Sequence, residues 1–152
     1  VNRRPGNLLD FVKAGVILQQ VNCQDKMGSG FAKAVFEKWP VVKTDYHEYC
    51  QGRTSANLLG QLLVVKVAPE LYVANLFGQL EYGKFPRRYT SYDALDDALL
   101  KVRSHMDDVG LDSADVHHPL MGAGLGGGNW PVIEALIHQR VGVYTTLWTL
   151  IP

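Results

Sequence analysis

Residues 22–30, NCQDKMGSG, gather an amide, a thiol, a carboxylate and an ammonium just ahead of two glycines that flank a serine. An apolar run, GVILQQV, leads into them. Helical spacing follows at once, with Phe31, Val35 and Trp39 on one face. A passage from strand to helix through MGSG has a particular chemical use. Glycine admits positive φ and close backbone approach, and the free N–H groups at a helix start attract anions. A second glycine loop, MGAGLGGG at 121–128, also follows an expected strand and precedes an expected helix. In open α/β sheets such loops frame the crevice beyond the carboxyl ends of the strands. Two of them, with Asn22 beside the first, point to a phosphate-bearing ligand. Neither is a standard nucleotide motif. MGSGFA lacks the GxxxxGK(S/T) of a P-loop. The GxGxxG of Gly122, Gly124 and Gly127 lacks a following strand with an acidic ribose ligand, which sets aside NTPase and Rossmann dehydrogenase chemistry.

These loops need elements to hold them. Gly15 to Val21 is expected as a buried strand and Gly28 to Lys38 as a helix closed by Pro40. A short helix is expected over Lys43 to Gln51. QLLVVKV (61–67) and LYVANLF (71–77) read as adjacent strands separated by Pro69. The clearest helix runs from Ser91 to Val109, with Leu95, Leu99, Val102 and Met106 on one face. Thr90 and Asp93 have capping-box spacing, and Gly110 is the stop. Asp115 to Pro119 is expected as a strand, Trp130 to Gln139 as a helix and Gly142 to Leu150 as the last strand. Alternating strands and helices predict an α/β fold with helices on both faces of a central sheet. Pro86, Arg87 and Arg88 fall in the longest expected loop, a candidate lid.

The 152 residues suit one domain, with no linker or repeat, so a single domain over 1–152 is expected. Lys plus Arg and Asp plus Glu are 15 each, and this balance disfavours sequence-independent nucleic-acid binding, which needs a basic face. Cys23 and Cys50 form neither a CxxC nor a disulfide framework. No apolar run approaches the ~20 residues of a membrane helix, and no signal peptide pattern opens the sequence. A cytoplasmic, soluble monomer is expected. No Cys/His set has zinc spacing, so neither a metal nor a cofactor is expected.

In order along the chain, GNLL at 6–9, VILQQVNCQDKMGSGFAKAVFEKWP, PLMGAGLGGGNW and VYTTLWTL resemble a macrodomain. The resemblance covers nearly the whole chain. It is closest to the branch holding the yeast-type ADP-ribose 1″-phosphate phosphatase, the terminal ADP-ribose glycohydrolase and small phage and bacterial relatives. It implies a three-layer α/β/α fold with a central mixed sheet, and ADP-ribose or a derivative as ligand. Asn7 stands where the family often has an adenine-binding aspartate, and Leu8 supplies a neighbouring N–H. Asn22 matches an asparagine that reaches the distal ribose. Gly28, Ser29, Gly30, Phe31 and Ala32 match the first loop. Met121, Gly122, Ala123, Gly124, Leu125 and Gly126 match the second, around the phosphates. Trp148 matches an aromatic against adenine, where stacking is worth ~1 kcal/mol. Phe77 is expected as a wall of the distal ribose.

The family's acid–base groups are replaced. Gln19 stands for a histidine of the phosphatase, and Leu76 and Gly126 stand for a lysine and an aspartate of the glycohydrolase. Other groups are therefore candidates. Asp25 and Lys26 lie beside the expected ribose, and a carboxylate there can orient or deprotonate a water; the alternative is a solvated loop charge. Cys23 is expected to fill space. His117 and His118 face opposite sides of a strand, so at most one reaches the ligand; His118 is a candidate general acid, although histidines satisfied within a sheet are commoner. Glu81, Tyr82 and Lys84 are placed to close over the ribose. Asn129 is expected as a helix cap. The expected function is ADP-ribose binding with hydrolysis at the ribose 1″ position, catalysed with Asn22, Asp25 and His118. Expected partners are ADP-ribose or a derivative and ADP-ribosylated macromolecules. The alternative is a non-catalytic reader or scavenger of ADP-ribose.

Overall fold

The computed structural model describes residues 2–83 and 87–150. Lys84 and Pro86, assigned above to a closing loop and a lid, lie outside the described residues. The fold is a three-layer α/β/α arrangement around a mixed six-stranded sheet. Across the sheet the order is β1 (Asn2–Pro5), β6 (Thr146–Thr149), β5 (Val116–His118), β2 (Gly15–Asn22), β4 (Leu71–Gln79) and β3 (Leu62–Ala68). Only β3 and β4 pair antiparallel; the other neighbours are parallel. The carboxyl ends of β1, β6, β5, β2 and β4 therefore share one edge, and both glycine loops leave from it.

The central strand β2 is buried along its length, as a parallel strand covered on both faces must be. Its side chains divide by period two. Ile17 and Val21 join a core made with α1 (Leu8–Phe11), α2 (Gly30–Lys38), α3 (Pro40–Cys50) and α4 (Ser55–Leu58). Val16 and Leu18 join a second core with α5 (Tyr92–Val109) and α6 (Trp130–Arg140). The register with β4 shifts between Val21 and Asn22, which ends the regular pairing where the first loop begins.

Several boundaries differ from expectation for local reasons. Pro40 opens α3 rather than merely closing α2; the missing N–H costs nothing in a first turn, so the two helices meet at Trp39. The N-cap of α5 is Ser91, whose side chain accepts from the Ala94 N–H, and Thr90 is left free for another role. The last strand spans Thr146–Thr149 only. Gly142 has φ +137, and a Cβ there would meet Ser113 Cβ at 2.5 Å, so the chain turns before it pairs. The short elements β1, α1 and α4 were not expected.

Candidate functional site

A cleft of about 1170 Å³ follows the carboxyl edge of the sheet. Strand order sets its two ends. Asn7, Leu8 and Trp148 line the end at β1 and β6. Gln79, Tyr82, Lys43 and His47 line the end at β4 and α3. The two glycine loops line the stretch between.

At the first end Asn7 caps α1, its Oδ1 accepting from the Leu9 N–H at 3.1 Å. Its amide nitrogen has no partner among the described residues and remains for a ligand. Trp148 is stacked on Phe11, with ring centroids 5.4 Å apart, and its Nε1 donates to His117 Nδ1 at 3.0 Å. Only 9% of Trp148 is left exposed, so the indole offers an edge rather than a full face.

In the first loop Gly28, Ser29, Gly30, Phe31 and Ala32 all line the cleft. Ser29 is an extended N-cap whose side chain makes no capping bond, and the first-turn N–H groups of α2 have no intrahelical partners. Asn22 lines the cleft but is 2% exposed. Its amide is fully engaged: Nδ2 donates to Lys26 O at 2.9 Å, and Oδ1 accepts from the Gln24 N–H at 3.0 Å and from Tyr46 OH at 3.1 Å. In this arrangement Asn22 folds the loop of residues 23–27.

In the second loop Met121, Gly122, Gly124, Leu125 and Gly126 line the cleft, whereas Ala123 packs towards the core beneath α5 and α6. The backbone N–H groups of Gly124, Leu125 and Gly126 make no hydrogen bond among the described residues. Gly126 and Gly124 are glycines for different reasons. A Cβ on Gly126 would sit 2.6 Å from Thr90 Oγ1, inside the protein. A Cβ on Gly28 or Gly124 would meet nothing within 4 Å, so their bareness serves what approaches through the cleft.

A polar clamp that the sequence reading missed holds this loop from behind. Gln20 Nε2 donates to Gln79 Oε1 at 2.7 Å and to Thr90 Oγ1 at 2.9 Å. Thr90 Oγ1 donates to Gly122 O at 2.8 Å, and the Thr90 and Tyr89 N–H groups both donate to Gly126 O.

The expected catalytic groups are distributed differently. Asp25 does not line the cleft; it hydrogen-bonds His47 Nδ1, and His47 does line it. His47 was also missed, because its partner lies 22 residues away with no diagnostic spacing. The only local signal is its position one turn after Lys43 on the same helix face. His118 is fully buried, within 3.2 Å of Thr145 Oγ1 and 3.1 Å of Pro119 O, with its ring against Trp130. Burial pushes its pKa down to about 4, against smaller raising effects from Pro119 O and Glu134. His118 does not line the cleft, so it is badly placed for a general acid. His117, on the opposite face, accepts from Trp148, and burial lowers its pKa. Phe77 is not a ligand wall either: it is buried between Tyr46 and Tyr49 in the core.

Of the residues that the resemblance sets in place of acid–base groups, Gln19 and Gly126 line the cleft, and Gln19 Oε1 is buried without a partner among the described residues. Gln19 Nε2 donates to Asn75 Oδ1 at 2.6 Å, and Leu76 is buried in the core under α5. No group of three or more His, Cys, Asp or Glu among the described residues is placed to hold a metal ion. No helix among them is long and apolar enough to cross a membrane.

No family model and no curated protein matches the sequence. Solved structures do match in fold. A protein of unknown function from Bacteroides thetaiotaomicron is 26% identical, with 99% of this chain and 97% of that one covered and a TM-score of 0.86. A macrodomain protein from Streptomyces coelicolor is also 26% identical, with 97% of each chain covered and a TM-score of 0.78. Thermosipho africanus DarTG, solved in complex with ADP-ribose, is 14% identical; the match covers 99% of this chain and 42% of that one, with a TM-score of 0.73. The structural neighbours of this chain thus include macrodomains.

Proposed function

We propose that the cleft binds ADP-ribose and that the protein hydrolyses a derivative substituted at the ribose 1″ carbon. The supporting observation is the pair of bare backbone rows at its middle. The open first turn of α2 and the unpartnered N–H groups of Gly124, Leu125 and Gly126 suit a diphosphate, and Gly28 and Gly124 leave room for one. The adenine then lies against Asn7 and the edge of Trp148, and the distal ribose lies towards Lys26 and His47. The ADP-ribose complex of Thermosipho africanus DarTG, similar in fold, supports the same ligand class.

The test is calorimetry of wild type and Gly124→Leu with ADP-ribose. A leucine there meets no protein atom near its Cβ, so the variant should fold with an unchanged circular dichroism spectrum and lose at least 100-fold in affinity. Equal affinity in both proteins would refute the diphosphate site. The second reading is a non-catalytic reader. It is favoured because neither the neutral amide of Gln19, at the cleft, nor the buried Leu76 can act as an acid or base, and turnover of ADP-ribose 1″-phosphate, followed as released phosphate by phosphorus NMR, would exclude it.

A further inference from the structure

We propose that His47 is the general base at the ribose end of the cleft, with Asp25 as its positioning residue. This rests on the ADP-ribose reading above and supplies an acid–base group that Gln19, Leu76 and Gly126 do not. Three observations converge. Asp25 Oδ1 is hydrogen-bonded to His47 Nδ1, while His47 Nε2 has no partner among the described residues and the ring lines the cleft. A carboxylate on Nδ1 keeps the proton there and leaves the Nε2 lone pair for a water. Asp25 also has φ +60, the one positive φ of a non-glycine residue among the described residues. That conformation is tolerated by Asp and Asn but disfavoured for most side chains. Finally, the pair is held as a unit with the loop. Tyr46, adjacent to His47, donates its hydroxyl to both Asn22 O (2.8 Å) and Asn22 Oδ1.

The step balances without an outside oxidant or reductant. Nε2 takes one proton from water as the water oxygen forms a bond to C1″. The bond from C1″ to the substituent oxygen breaks, and the substituent leaves as a carboxylate or phosphate with the electron pair. The imidazolium then returns its proton to solvent. Lys26 and Lys43 line the same end of the cleft, and their ammonium groups favour an anionic leaving group. Asp25 bonds the imidazole and the Tyr46 ring lies against it; Lys26, Lys43 and Tyr82 line the same cleft, and Cys50 faces Asp25 and Tyr46 from α3.

The experiment uses the full chain with ADP-ribose for binding, and ADP-ribose 1″-phosphate and an ADP-ribosylated glutamyl peptide for turnover. His47→Gln should bind ADP-ribose within about threefold of wild type while single-turnover rates fall at least ~100-fold. The limb of the wild-type pH–rate profile that reports the general base should vanish in that variant. Asp25→Asn keeps the backbone conformation accessible and should give an intermediate loss in rate with binding intact. Wild-type rates in both variants would overturn the dyad, as would a wild-type protein that binds ADP-ribose and turns over neither substrate. A wild-type protein that fails to bind ADP-ribose would instead overturn the cleft reading beneath it.

Discussion

At the scale of single residues, the two adjacent histidines of β5 show how one strand separates chemistry from structure. His117 and His118 point to opposite faces, towards Trp148 and Trp130 respectively. Neither lines the cleft. His118 is buried as a neutral ring, and burial depresses its pKa from about 6.5 to about 4. The sign follows from linkage. The unfolded chain binds a proton more readily, so the stability contributed by neutral His118 is complete above about pH 6.5 and is lost as pH falls towards 4. Denaturant melts of wild type and His118→Gln should converge as pH drops from 7.5 to 4.5. The wild type should lose roughly 2–3 kcal/mol more than the variant over that range. Parallel loss in the two proteins would mean that His118 takes up its proton as readily in the folded chain as in the unfolded one.

At the scale of elements, the second glycine loop depends on β2 and β4 through Gln20, Gln79 and Thr90. Thr90→Val keeps the shape and removes both bonds of the hydroxyl. Gln20 Nε2 then keeps only Gln79, and Gly122 O keeps only the Gly128 N–H. A cost of about 1–2 kcal/mol in equilibrium unfolding is expected, with a several-fold weaker affinity for ADP-ribose because the loop loses its anchor. Unchanged affinity alongside lowered stability would show that the clamp serves folding alone. This clamp also marks the limit of sequence reading. Thr90 and Ser91 are both capping residues, and Asp93 suits Thr90 by spacing. The decision for Ser91 comes from Gly122, 32 residues beyond Thr90, which engages the threonine. The apolar run of β2 and the helical periodicity of α2 and α5 were legible for the converse reason: each is a pattern defined within its own span. β1 was not, because NRRP is an exposed edge strand paired only with β6. In the site, both glycine loops were legible from their flanks, whereas His47 acquires meaning only when α3 packs beside the loop that carries Asp25.

At the scale of the whole molecule, the sheet divides two cores, and the α2–α3 layer is at once the cover of one core and a wall of the cleft. Cys23 and Cys50 lie in that core, both buried. Burial pushes their thiols up to about 12 and about 11, with smaller raising effects from Cys50 on Cys23 and from Asp25 on Cys50. Neither is a competent nucleophile in place, so a thiol reagent must wait for the layer to open. Phe31, Ala32 and His47 belong to the same layer and line the cleft, so opening would also dismantle that wall of the cleft. A ligand that binds only the closed form lowers the open population by the factor 1 + [L]/Kd. Labelling of the two cysteines by a disulfide reagent should therefore be slow at pH 8 and slower still with ADP-ribose, by about 100-fold at a hundred times its Kd. In Gly124→Leu the same ligand concentration should give at most about twofold protection, because the layer is intact but the site is blocked. Fast labelling that ADP-ribose does not slow would mean that the α2–α3 layer opens independently of the cleft, and that the two faces of the sheet are not coupled through the ligand.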